Sequence, residues 1–284
     1  MGNRIYTIKQ NSVRQRLHLS VHVLFFISIL LSWGLFPAIA QERDPGGCPD
    51  AIHGPEQRIV KLTSRQLAIS LWAQAQVQAR VGNHAVRQES NDLETLYAAA
   101  AIAEVESRKI TQTLAKLTGG TAVFPPGGGL KGKKRAREKI MAELGGDASG
   151  LMDIARSSIA YPTVDAVYQA LQFLILHGYD VVRMKDRAID PLSTGFWNIH
   201  LNLRTSNHHI IELQLHLGEI LGYSMGEGHK KYEQVRSIEA AAVREGRLLT
   251  PKERATIDRL NYEQKQFYKA AFQRGQVGPH RVKD

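Results

Sequence analysis

Gly195-Phe-Trp-Asn-Ile-His-Leu-Asn-Leu-Arg-Thr-Ser-Asn-His-His-Ile-Ile-Glu-Leu-Gln-Leu-His216 alternates with period two, so it reads as two strands joined by a turn at Ser206-Asn207-His208. In the first strand Trp197, Ile199, Leu201 and Leu203 face one way, and Phe196, Asn198, His200, Asn202 and Arg204 the other. In the second, Ile211, Leu213 and Leu215 form the apolar side and Glu212, Gln214 and His216 the polar one. Residues opposite one another in an antiparallel pair share a face, so a three-residue loop sets Asn202 across from Glu212, His200 across from Gln214 and Asn198 across from His216. Most polar strand faces are only solvated. This one carries amides, imidazoles, a lone carboxylate and an aromatic ring, a set that suits a ligand better than water.

Outward from the hairpin, the chain of 284 residues has an ordinary apolar content of 43% and a formal net charge of +10. Residues 1–40 do not read as part of a domain. Arg4, Lys9, Arg14 and Arg16 precede an apolar run from Val23 to Ala40 that ends in Ala38-Ile39-Ala40, the pattern of a secretory signal peptide cut before Gln41. A periplasmic or secreted location is therefore expected, with no stable membrane association after cleavage. The competing reading is a membrane anchor at residues 21–40, since about eighteen apolar residues just span a bilayer. Without its first forty residues the chain has a charge of +6, compatible with phosphate-bearing ligands but far from that of an RNA-coating protein. Cys48 is the single cysteine, which excludes an internal disulfide and any metal site built on cysteine.

Five segments are expected: a signal peptide at 1–40, a linker at 41–62, an N-terminal helical segment at 63–120, a domain at 121–245 that contains the hairpin, and a C-terminal helix and tail at 246–284. Ser64 to Val81 and Asn91 to Leu117 read as packing helices, the second opened by an Asn91/Glu94 capping box. Phe124 to Ile140 runs from a glycine-rich loop into a basic helix starting near Lys133, and free loop amides with a helix N-terminus suit phosphates. The Gly-Lys-Ser/Thr spacing of a Walker A loop is missing. Met152 to Tyr161 reads as a strand carrying Asp153. A helix follows from Thr163 to His177, then a strand from Val181 to Lys185. Thr250-Pro251-Lys252-Glu253 is a capping box opening the last helix.

Four motifs in order resemble the synthetase domain of RelA/SpoT-type (p)ppGpp synthetases, in the compact branch of phage-encoded and secreted-toxin pyrophosphokinases. They are the basic helix with Lys131 and Lys139 eight apart; Asp153-Ile-Ala-Arg156; Lys185-Asp186, Pro191, Gly195-Phe196 and Ile199-His200; and Glu212-Leu-Gln214. Gly228-His229-Lys-Lys-Tyr232-Glu233-Gln-Val-Arg236 is similar to the same branch. The resemblance implies an α+β fold with a mixed, mainly antiparallel sheet of four to six strands, in a nucleotidyltransferase-like arrangement flanked by helices. It implies transfer of the β,γ-pyrophosphate of ATP to a 3′-hydroxyl. Asp153 and Glu212 would hold Mg²⁺, with Glu212 also drawing the hydroxyl proton; Lys131, Lys139, Arg156 and Lys185 would neutralise the triphosphate. Phe196 would stack on the acceptor base, and His200 and Gln214 would complete the substrate-binding row.

Leu192, Thr194 and His216 depart from the family's lysine, asparagine and arginine. They border the acceptor pocket, so the acceptor stays open between guanine nucleotide, adenine nucleotide and an RNA 3′ end. An export signal on an ATP-consuming enzyme suggests an effector or toxin that acts in a recipient cell and is held in check by an immunity protein. The alternative is a non-catalytic nucleotide- or RNA-binding protein that keeps the fold.

Overall fold

The computed structural model describes residues 60–125 and 129–277. The signal-peptide and anchor readings, nearly all of the linker, and the middle of the glycine-rich loop lie outside them. Among the described residues no helix is long and apolar enough to cross a membrane.

The hairpin forms as its alternation requires. Strands β4 (Ile199–Arg204) and β5 (Ile210–Leu217) pair antiparallel, with Asn202 opposite Glu212 and His200 opposite Gln214. His208 takes a left-handed φ of 64° in the expected turn, and Thr205 closes it by donating through both its N–H and its hydroxyl to the His209 carbonyl. Three more strands complete a five-stranded sheet in the order β1-β2-β5-β4-β3: β1 (Thr121–Val123), β2 (Arg156–Tyr161) and β3 (Val181–Asp186). Only β2 and β5 run parallel. That pair needs a crossover, which helix α4 (Val164–Leu176) begins. The sheet is mixed and mainly antiparallel, and the fold is α+β.

Helices α1 (Ser64–Val81), α2 (Leu93–Thr118) and α4 pack on the apolar face of the sheet. There Ile199, Leu201, Leu213 and Leu215 are fully buried. Ser157 of β2 falls on the same face and is satisfied by the Thr111 hydroxyl of α2 at 2.7 Å, as a buried hydroxyl must be. The basic helix α3 (Lys133–Glu143) lies between β1 and β2 in the chain. After β5 come α5 (Gly218–Met225), α6 (Glu227–Arg244) and the 27-residue α7 (Pro251–Val277). The Thr250/Glu253 box opens α7 as expected, each residue bonding the other's backbone N–H.

Two expectations are corrected. Helix α2 is capped by Asp92, which accepts from the Thr95 N–H at 2.8 Å, rather than by Asn91. Asn91 turns away to accept from the Ala148 N–H, so tertiary demand takes the residue that local pattern favoured. Strand β2 starts at Arg156, not Met152, so Asp153 precedes it. Its approach is held from elsewhere: the Lys131 N–H donates to the Ile154 carbonyl at 2.8 Å, and the Gln88 amide donates to the Leu151 and Ile210 carbonyls.

Candidate functional site

Four members of the hairpin's polar row are shut away from solvent. Asn198, Asn202, Glu212 and His216 are exposed by 3, 2, 6 and 1%, so each must be paired within the protein or offered to a ligand. The row is wired along β5. The Gln214 amide N–H donates to Glu212 Oε1, while Gln214 Oε1 accepts from Asn198 Nδ2 at 3.0 Å and pairs with His216 Nε2 at 2.9 Å. Two donors on one amide oxygen fix which way that amide points. His200 Nε2 lies 3.2 Å from Glu212 Oε2. Burial pushes the Glu212 carboxyl up, but His200, Gln214 and the more distant Lys139 outweigh it and hold it below the usual carboxylate range. Glu212 is thus an anion kept dry. Burial also holds the His216 imidazole neutral, its pKa lowered to about 3; its Nδ1 has no hydrogen-bond partner.

The second carboxylate stands where the chain enters β2. Asp153 Oδ2 takes Lys131 Nζ at 2.8 Å and Lys139 Nζ at 3.0 Å. Lys131 is set by its backbone bond to Ile154 and by the Tyr97 hydroxyl, which donates to the Lys131 carbonyl at 2.5 Å. Burial pulls the Lys139 ammonium down, yet Asp153 and Glu212 together raise it. Asp153 Oδ1 is buried with no hydrogen-bond partner, which leaves one dry oxygen free to ligate.

Strand register gathers the remaining cations. Arg156 of β2 sits beside Glu212, and Lys185 of β3 opposite His200. Directly paired residues share a face, so both belong to the polar side; Arg156 is exposed and Lys185 half-buried. The same register places half-buried Arg183 opposite Asn202. Arg183 is a site residue that the motif reading missed, although it stands two before Lys185 and period two alone puts both on one face. Asp186, beside Lys185 in the motif, turns inward instead: it is 1% exposed and accepts from the Ser70 hydroxyl, the Tyr168 hydroxyl and the Ala188 N–H.

Phe196 precedes β4 and is half-buried. Its ring meets the His216 ring edge-on, centroids 5.8 Å apart, and the Tyr268 ring of α7 at 5.4 Å. A separate groove of about 730 Å³ lies at the far ends of β2, β5 and α7, lined by Tyr161, Leu217, Glu219 and Arg274 among others. Its Glu219 and Arg274 pair with each other, and none of the residues named above line it.

No protein-family model matches the chain, and no curated protein does. Solved structures do. The chain resembles small alarmone synthetases. Small alarmone synthetase 2 from Bacillus subtilis is similar over 63% of this chain and 90% of its own, with 18% identity and a TM-score of 0.45. The Type VI effector Tas1, solved in complex with its immunity protein, is similar over 64% of this chain and 96% of that one, at 22% identity and a TM-score of 0.47. A GTP pyrophosphokinase family protein from Streptococcus pneumoniae covers 63% and 88%, at 15% identity and a TM-score of 0.40.

Proposed function

We propose that this protein is an ATP-dependent pyrophosphokinase acting on the 3′-hydroxyl of a nucleotide or RNA acceptor. The observation that carries the reading is a pair of buried carboxylates, Glu212 in the hairpin row and Asp153 bound by Lys131 and Lys139 at 2.8 and 3.0 Å, beside a face lined by Arg156, Arg183 and Lys185. Phosphoryl-type transfer asks the protein for positioning and charge stabilisation rather than covalent chemistry, and this face is built of fixed charges. In the reaction the acceptor oxygen bonds to the β-phosphorus of ATP. The bond from that phosphorus to the α,β-bridging oxygen breaks, AMP leaves, and the hydroxyl proton passes to Glu212 or through it to solvent. Held anionic, Glu212 accepts the hydroxyl hydrogen bond and orients its lone pair for attack. The cations bind the triphosphate and offset the charge that develops on the leaving oxygen.

A divalent cation fits the donor set. Magnesium takes oxygen ligands, commonly one or two carboxylates with the rest from water and substrate phosphates, and Asp153 Oδ1 is a buried oxygen without a partner. Among the described residues no cluster of three or more His, Cys, Asp or Glu side chains could hold a metal. Asp153 and Glu212 would hold it, and it would neutralise charge between the β- and γ-phosphates.

The test is to incubate the chain from Gln41 with γ-labelled ATP, Mg²⁺ and GDP, GTP, ADP, AMP or tRNA. Label is expected on at least one acceptor, with Glu212→Gln lowering the rate by about 10²–10⁴-fold. Nucleotide binding with no transfer to any acceptor would establish the binding-protein alternative. The leader at residues 1–40 supports action outside the producing cell, as an effector countered by an immunity protein. A periplasm-dependent phosphatase fused after residue 60 should be active, and a silent fusion refutes export.

A further inference from the structure

We infer that the C-terminal helix α7 clamps the acceptor side of the site, with Tyr268 as a positioning residue for the Phe196 ring; the inference rests on the pyrophosphokinase reading. Phe196 and Trp197 are consecutive, and α7 reaches both. Tyr268 meets Phe196 edge-on at 5.4 Å, and Phe272, one turn later, meets Trp197 edge-on at 4.9 Å. Positions four apart lie on one helix face, so one face of α7 grips the segment from two sides. Gly275 extends that face and lets the helix close on the end of β5, where any side chain would strike Leu217.

Tyr268 is itself held on all sides. It is 3% exposed, its ring packs against Tyr223 and Phe267, and its hydroxyl lies against Gly228, where an added Cβ would come within 2.9 Å of it. Gly228 lies in the first turn of α6, and α6 also reaches the basic helix α3 through Glu233, which accepts from Arg135 at 2.9 Å. The α6–α7 pair therefore touches both sides of the site, the phosphate-binding helix through Glu233 and the aromatic through Tyr268. Phe196 also meets the His216 ring, centroids 5.8 Å apart, so Tyr268 and His216 together set how the ring is presented. Phe196 stays half-buried between those two rings, and a base stacks well only on a ring already oriented.

The experiment uses the full chain and two variants. Tyr268→Leu keeps most of the buried volume without the ring, and Tyr268→Phe keeps the ring without the hydroxyl. Binding of GDP and ADP, and separately of a non-hydrolysable ATP analogue with Mg²⁺, is measured by calorimetry. Amide exchange over residues 195–198 is followed alongside. Tyr268→Leu is expected to weaken the accepted diphosphate about fivefold to tenfold, the loss of one oriented aromatic contact, leaving the ATP analogue within about twofold. Exchange at 195–198 should quicken while that of β4 and β5 stays unchanged, and Tyr268→Phe should restore both. Equal weakening of both nucleotides, or unaltered exchange in Tyr268→Leu, overturns the clamp. A wild-type chain that binds no nucleotide overturns the transferase reading instead.

Discussion

Residue by residue, the polar side of the hairpin is governed by burial. Glu212 is dry, yet His200 and Gln214 stand at its oxygens, which is the condition for a carboxylate to stay ionised inside a protein. His216 and His209 take the opposite course. Burial outweighs the opposing Glu212 charge at His216 and is unopposed at His209, and their pKa values fall to about 3 and about 4 against an ordinary 6.5. The consequence for stability has a definite sign. Both imidazoles are neutral in the folded chain and protonated in the unfolded chain between their folded values and 6.5, so the unfolded state binds more protons there. Stability is full above that window and declines as the pH falls through it, by up to about 1.4 kcal/mol per pH unit for each histidine. Urea unfolding at about pH 7 and about pH 5 should show this loss, and His209→Asn should show a smaller one.

At the scale of elements, close approach decides more than propensity. Helix α7 crosses the end of β5 at Gly275, where a Cβ would lie 2.6 Å from Leu217 Cδ2, and Leu217 is 2% exposed. Gly275→Ala should therefore destabilise the protein by about 1–3 kcal/mol through overpacking. Gly222 in α5 has nothing within 4 Å of such a Cβ and an ordinary helical backbone, so Gly222→Ala should stabilise by about 0.5–1 kcal/mol by restricting the unfolded chain. Denaturant midpoints of the two variants, moving in opposite directions, check both. Element identities were largely legible in the sequence because period and capping are local. The Thr250/Glu253 box and the Ser206–His208 turn needed no distant partner. The cap of α2 and the start of β2 were misread because Ala148, Lys131 and Gln88, far along the chain, claim the groups that local pattern had assigned.

For the molecule as a whole, α1, α2, α4, the sheet and the second half of α7 share one core, whereas Val235, Ile257 and Leu260 form a small cluster between α6 and the first half of α7. Native-state hydrogen exchange should show α6 and residues 251–260 opening well before residues 264–275 and strands β4 and β5, because fewer buried apolar contacts hold them. The hairpin register followed from the sequence alone, since alternation is a property of neighbouring residues, while the α+β class and the carboxylates and lysines worth testing came from ordered motifs that resemble a known family. Tertiary structure alone decided that Asn198, Asn202, Glu212 and His216 are buried and that Tyr268 comes to rest on Phe196. The state of a polar side chain depends on what covers it, and here the cover comes from residues dozens of positions away in the chain.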